Sequence, residues 1–192
     1  MIPSTGVSEI RFYYTKMKRV SSQLVFCDGN SLLRSTVVEQ NDDNVITDII
    51  DLSNQPSETA HTMFYDGVIA GEIVSLKECL SDDQLVEITK GMVYLDLSKW
   101  NNSSFVFERD SDLVVDFGSN NIDEINKMLK ENFDTLSAIT VFELINACSY
   151  LPQRLLGLSK NIEVSHQTDL VLWEGVNLVS HALTPQTSVR LL

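Results

Sequence analysis

Strand-forming runs stand at both ends of this chain, and its main helix-forming block, residues 119–158, lies between them. That order constrains the fold more than any residue count. Strands and helices that alternate one for one build a parallel α/β sheet, whereas segregated runs build an α+β fold. Here residues 18–75 read as β. Residues 22–27 carry the apolar run LVFC, and residues 36–38 open a second β-branched stretch. The NDDN at 41–44 is a turn signal, and VITDIIDL follows over 45–52. After the SNQPSE loop come a strand at 62–65, a turn at Asp66–Gly67 and another strand over 68–74. Short strands separated by Asx-rich turns suggest an antiparallel sheet or sandwich.

Residues 81–118 are mixed. Ser81 is placed to cap a short helix with acids in its first turn and Leu85 and Ile88 three apart. MVYLDL, SFVFE and DLVVDF follow as three strand-like runs. In the helical block, Ile122, Ile125, Met128 and Leu129 form one apolar stripe. Thr140 and Glu143 make a capping-box pattern ahead of Leu144, Ile145 and Cys148. Pro152 suits the first turn of a further short helix and Gly157 its stop. The tail returns to β at 169–173 (DLVLW) and 188–192.

At 192 residues the chain can bury one sizeable core, with room for a small appended unit. Its net charge of -13 argues against nucleic acid and anionic membranes as partners, because both would repel it. Lys16, Lys18 and Arg19 form the one basic cluster and read as a solvated strand entrance. Three widely spaced cysteines, Cys27, Cys79 and Cys148, suggest neither a zinc knuckle nor a disulfide framework, and each reads as a small buried hydrophobe. No apolar run has signal-peptide or membrane-spanning length, so the expected location is the cytoplasm. Met17 begins a natural first strand, which makes residues 1–16 an expected N-terminal extension.

Phosphate-loop, dinucleotide and nucleophile-elbow patterns are absent from the sequence. His61, His166 and His181 lie far apart without chelating spacing and read as surface or turn residues. Asp42–Asp43 fits a turn, and Asp82–Asp83 a helix first turn, where the dipole favours negative charge. Cys148, on the apolar side of a helix, reads as a core residue rather than a nucleophile. Trp173 closes a strand, where a large aromatic packs; Trp100 precedes an Asn–Asn turn and is expected to be exposed.

The segment LSAITVFELINACSYLPQRLLGLSKNIEVSHQTDLVLW, residues 136–173, resembles the end of amidohydrolases of the cytosine-deaminase and chlorohydrolase type. In that family a helix leads into an N-P-A-x-x-L-G turn and then an E-V-G-x-x-A-D-L-V-L strand. Leu151, Pro152 and Gln153 stand at the first motif, Leu156, Gly157 and Leu158 at its L-G-L, and Glu163, Val164 and Ser165 at E-V-G. Asp169 to Leu172 matches outright. At the front a D-G (Asp66–Gly67) precedes an apolar strand, and Gly71 stands at the family's P-G. Ser119, Asn120 and Asn121 are similar to the S-N-N of the G-T-D-x-x-x-S-N-N motif.

The resemblance implies an α+β protein built on the accessory composite β-sandwich of metal-dependent hydrolases. Its N- and C-terminal strands would pair in one sheet, and residues 17–80 with 159–192 would form the composite β-domain. Residues 81–158 would be a residual α/β, barrel-derived segment, with the helices of 120–158 packed on one side. A complete (β/α)₈ barrel takes ~250 residues, so none is expected in 192. The family uses zinc or iron, but its P-G-F-x-x-x-H-x-H runs here from Ala70 to Glu78, with Leu76 and Glu78 at the two histidine positions. Leucine offers no lone pair, and one carboxylate does not replace two imidazoles. No catalytic residue and no cofactor is therefore expected. Glu78 with Asp116, the latter one residue off the G-T-D aspartate, is the single carboxylate pair directed toward the old metal position. Such a pair could bind a hard cation or share a proton.

Three functions follow as expectations. The first is a degenerate amidohydrolase-like protein, a pseudoenzyme acting by binding or assembly, with a second copy or a full-length amidohydrolase as partner. The second is metal-dependent hydrolysis of non-peptide C–N bonds, with the missing site supplied by a partner. The third is an unrelated small-molecule binding module whose similarity is confined to the C-terminal segment.

Overall fold

The computed structural model describes residues 17–27, 31–53, 60–100 and 112–192. The expected extension at 1–16, most of the SNQPSE loop and the SFVFE strand lie outside these residues. The strands are β1 (Lys18–Phe26), β2 (Leu32–Leu33), β3 (Thr36–Gln40), β4 (Ile46–Asp51), β5 (Thr62–Ala70), β6 (Val93–Asp96), β7 (Leu113–Asp116), β8 (Val171–Glu174) and β9 (Ser188–Leu191). The helices are α1 (Leu76–Cys79), α2 (Asp82–Ile88), α3 (Ile122–Glu131), α4 (Phe133–Leu136), α5 (Val141–Ile145) and α6 (Leu151–Leu155). The fold is α+β, and no closed barrel is present among the described residues. No helix among them is long and apolar enough to cross a membrane.

The main sheet runs β4-β3-β1-β5-β8-β9, with β2 paired to β1. Strands from both ends of the chain therefore share it: Val68, Ile69 and Ala70 of β5 pair antiparallel with Trp173, Leu172 and Val171 of β8. At the centre β1 and β5 are parallel, because the β3–β4 hairpin intervenes between them. Alternation along the strands splits the core between the two faces. Val20, Val38, Ile69 and Leu172 pack on one face. Leu24, Val68, Ala70, Val171 and Trp173 pack on the other, against α3, α5 and the strands β6 and β7. β6 and β7 form a separate parallel pair. Leu113 and Val115 point into the large cluster, while Val114 meets Leu76 and Leu151 in a smaller one.

Sequence reading placed a turn at Asp66–Gly67. The chain instead continues through it as a single nine-residue strand with a bulge. Gln23 of β1 faces the extra residue: its Nε2 donates to Asp66 Oδ1 at 2.5 Å and its Oε1 accepts from Gly67 N at 2.6 Å. A bulge leaves an unpaired residue in the ladder, and the amide side chain satisfies it. Beyond Ala70 no strand forms, although residues 71–74 read as one. Their polar groups instead meet a π-helical turn, Asn146–Tyr150, and Gln153 of α6. Val74 N donates to Cys148 O at 3.0 Å, Ser149 Oγ to Glu72 O at 2.7 Å, and Gln153 Nε2 to Glu72 O at 2.9 Å. That turn also fuses α5 and α6 into one helical run, where two helices were expected.

The capping signals hold. Thr140 and Glu143 cap α5 reciprocally, Pro152 sits in the first turn of α6, and Gly157 follows it at φ +66°. Asn126 on α3 serves as a strand partner for Val189 of β9, donating to its carbonyl at 2.8 Å and accepting from its N–H at 2.7 Å. Two readings need correction. Cys79 is exposed, since α1 turns it away from the core, whereas Cys27 and Cys148 are buried. Trp100 is half-buried against the large cluster rather than solvent-facing.

Candidate functional site

β6 and β7 end in the same pattern, VYLD and LVVD, and the parallel pairing puts Asp96 opposite Asp116 at their C-terminal ends. Adjacent strands lie ~4.8 Å apart, so two carboxylates share one strand end. In open α/β sheets this is where ligands bind. The loop from β5 into α1 arches onto Asp116 through Ser75 Oγ and Lys77 N, and the loop from β7 into α3 reaches it through Gly118 N.

Asp116 is 1% exposed and makes four hydrogen bonds as acceptor. Its Oδ1 accepts from Ser75 Oγ at 2.7 Å and from Gly118 N at 2.7 Å. Its Oδ2 accepts from Lys77 N at 3.0 Å and from the Tyr94 hydroxyl at 2.8 Å. An ionised carboxylate has about four lone-pair sites, and each is taken by a neutral donor. Burial, and then the charge of Asp116, push the Tyr94 phenol far above the usual tyrosine range. It therefore stays a donor. Asp116 thus pins the first turn of α1 to the end of β7, and it takes over the capping that Ser75, at the N-cap, does not supply through its own side chain.

Asp96 is held differently. Its Oδ1 accepts from Ser98 N and Ser98 Oγ at 3.1 and 2.6 Å, and its Oδ2 accepts from the Lys77 ammonium at 3.0 Å. Burial works against its charge, but the Ser98 hydrogen bonds and the Lys77 ammonium outweigh it, leaving Asp96 below the ordinary carboxylate range. Lys77 also donates to Ser98 Oγ at 2.8 Å. Gly118, at φ +71°, lets the chain pass Ser98 closely: a Cβ there would lie 2.8 Å from Ser98 Cβ.

The residues singled out from sequence fall as follows. Leu76 is fully buried, anchoring α1 against Val114 and Leu151. Glu78 is exposed, and its Oε2 accepts from Asn120 Nδ2 at 2.6 Å. Asn120 Oδ1 accepts in turn from Ser75 N at 2.7 Å. Glu78 and Asp116 thus belong to one network, joined through Asn120 and Ser75, but their carboxylates serve different partners. His61 and His181 adopt positive φ in turns, and His181 sits edge-on to Phe142 at 4.7 Å. His166 Nδ1 lies 3.6 Å from Glu163 Oε2. Neither Cys79 nor Cys148 is an activated thiol. Burial raises both, and the charges of Glu78 and Asp116 raise Cys79 further.

Comparison with known family models, with characterised proteins and with solved structures finds no match. The site must therefore be judged on its own chemistry. Zinc or iron bound as in the resembled family would need imidazoles where Leu76 and Glu78 stand, and free lone pairs on an aspartate. Leu76 is core, Glu78 turns to Asn120, the lone pairs of Asp116 are engaged, and an ammonium sits beside Asp96. These residues do not fit such a metal. Asn120, picked out with the S-N-N pattern, joins the network, whereas sequence reading missed Ser75, Lys77, Tyr94, Asp96 and Ser98. The signal that could have found them is the repeated apolar run ending in aspartate.

Proposed function

We propose that this chain is a degenerate relative of the amidohydrolases that acts by binding and assembly rather than by metal-dependent hydrolysis. The observation that carries the reading is Asp116, whose oxygens are saturated by Ser75, Lys77, Tyr94 and Gly118. A carboxylate so engaged holds a loop in place and has no lone pair left for a metal or a substrate proton. Pairing of β5 with β8 in one sheet is the arrangement that a composite β-domain of residues 17–80 and 159–192 requires, and it supports the family reading over a similarity limited to the C-terminal segment.

The assembly part rests on the first half of β5. Residues 62–66 run past the end of β8, and there Met63 is 47% and Phe64 66% exposed. A sheet edge carrying exposed apolar side chains invites pairing. The partners proposed are a second copy or a full-length amidohydrolase. Light scattering of the purified chain is expected to give at least twice the mass of one copy. A monodisperse monomer that also fails to bind a full-length amidohydrolase would overturn the assembly role. Hydrolysis by the mixture above that enzyme's own rate would overturn the non-catalytic one.

A further inference from the structure

The end of the β6–β7 pair holds two acidic side chains, 15% exposed at Asp96 and 1% for the whole of Asp116. The four donors to Asp116 are all neutral groups, so they leave its charge uncancelled. Among the described residues, the cations near Asp96 are Lys77, at 3.0 Å and with its side chain 23% exposed, and Lys99, at 4.0 Å and 74% exposed. Solvent screens the second far more than the first. Among the described residues the Lys77 ammonium is thus the principal counter-ion of Asp96. Two of its N–H groups donate to a carboxylate and a hydroxyl, oxygen ligands of the kind that hard cations take.

Resting on the degenerate-site reading, we propose that Lys77 is a built-in cation: its ammonium stands at Asp96 Oδ2, where a divalent ion would otherwise balance that carboxylate and the charge of neighbouring Asp116, whose own oxygens are filled. The sequence supplies it between the two positions, 76 and 78, at which the resembled family carries histidine. A positive charge covalently fixed in α1 removes the need for an exchangeable ion and repels one that approaches. Removing only the charge, with the stem kept, would leave Asp96 without its ammonium on the strand residue paired with the buried Asp116. That arrangement either takes up a proton or recruits a cation.

Lys77→Met tests this, with Mn²⁺ as the probe at about 5 mM and sodium chloride matched for ionic strength. The variant is expected to melt at least ~4 °C below the parent, and Mn²⁺ should return half or more of that loss. The parent should not respond. Lys77→Met combined with Asp96→Asn, which removes one charge of each sign, should respond no more than the parent does. If Lys77→Met folds only when Mn²⁺ is present during refolding, that also supports the proposal. No selective response to Mn²⁺, or failure to fold with and without it while the double variant folds, would overturn it. A metal ion carried by the parent protein itself would instead overturn the degenerate-site reading, whatever Lys77→Met does.

Discussion

Replacing Asp116 by alanine is expected to destabilise the protein by about 3–5 kcal/mol, because four neutral donors lose their shared acceptor at once. Two hydroxyls, Ser75 and Tyr94, and two backbone N–H groups, Lys77 and Gly118, would each lose an acceptor in a place water reaches poorly. An unsatisfied buried donor costs ~1–3 kcal/mol, and partial relaxation of the two loops keeps the total below four such losses. The arch from β5 to α1 should loosen first, exposing the amides of Ser75 and Lys77 to hydrogen exchange. Urea unfolding measures the loss. A change under ~1 kcal/mol would mean that Asp116 behaves as a surface carboxylate and does not fasten the strand end.

Gly67→Ala should be of similar size for an unrelated reason. A Cβ at Gly67 would lie 2.1 Å from the carbonyl oxygen of Trp173, and φ is +137° there. The obstacle is backbone, so no rotamer change relieves it. β5 and β8 would have to separate at the pair that joins the two ends of the chain, Val68 with Trp173. Strain of ~1–3 kcal/mol for the backbone and ~1–3 kcal/mol for overpacking put the expected loss on the order of 4 kcal/mol. Gly91→Ala is the control: φ is also positive, at +82°, but a Cβ there meets nothing within 4 Å. If thermal melting shows equal losses for the two variants, the clash at Trp173 is not what restricts Gly67.

What the sequence made legible divides by the range of the interaction. The capping box at Thr140 and Glu143, the apolar stripe of α3 and the strand runs of β6 and β7 depend on neighbours within a few residues, and they are where the pattern puts them. The bulge at Gly67 was misread as a turn because Asp-Gly is a local turn signal, while the groups that keep the strand straight come from Gln23, over forty residues away. Cys79 was misread for a related reason. Of its immediate neighbours only Leu80 is apolar, and the outward turn of the thiol is set by Leu76, which packs against Val114 and Leu151 from distant parts of the chain. In the candidate site, Leu76, Glu78 and Asp116 could be located through the resemblance. Asn120 could be located in the same way, but the network that decides their roles could not, because Ser75, Tyr94 and Ser98 are ordinary polar residues until parallel pairing brings Asp96 and Asp116 together.

The central claim is that the chain's own donors and the Lys77 ammonium close the strand end to a metal. The direct measurement is the metal content of the purified protein by elemental analysis, after mild dialysis without chelator. The account predicts less than about a tenth of an equivalent of zinc, iron or manganese. Close to one equivalent, retained by the parent and lost in Asp116→Ala, would contradict it.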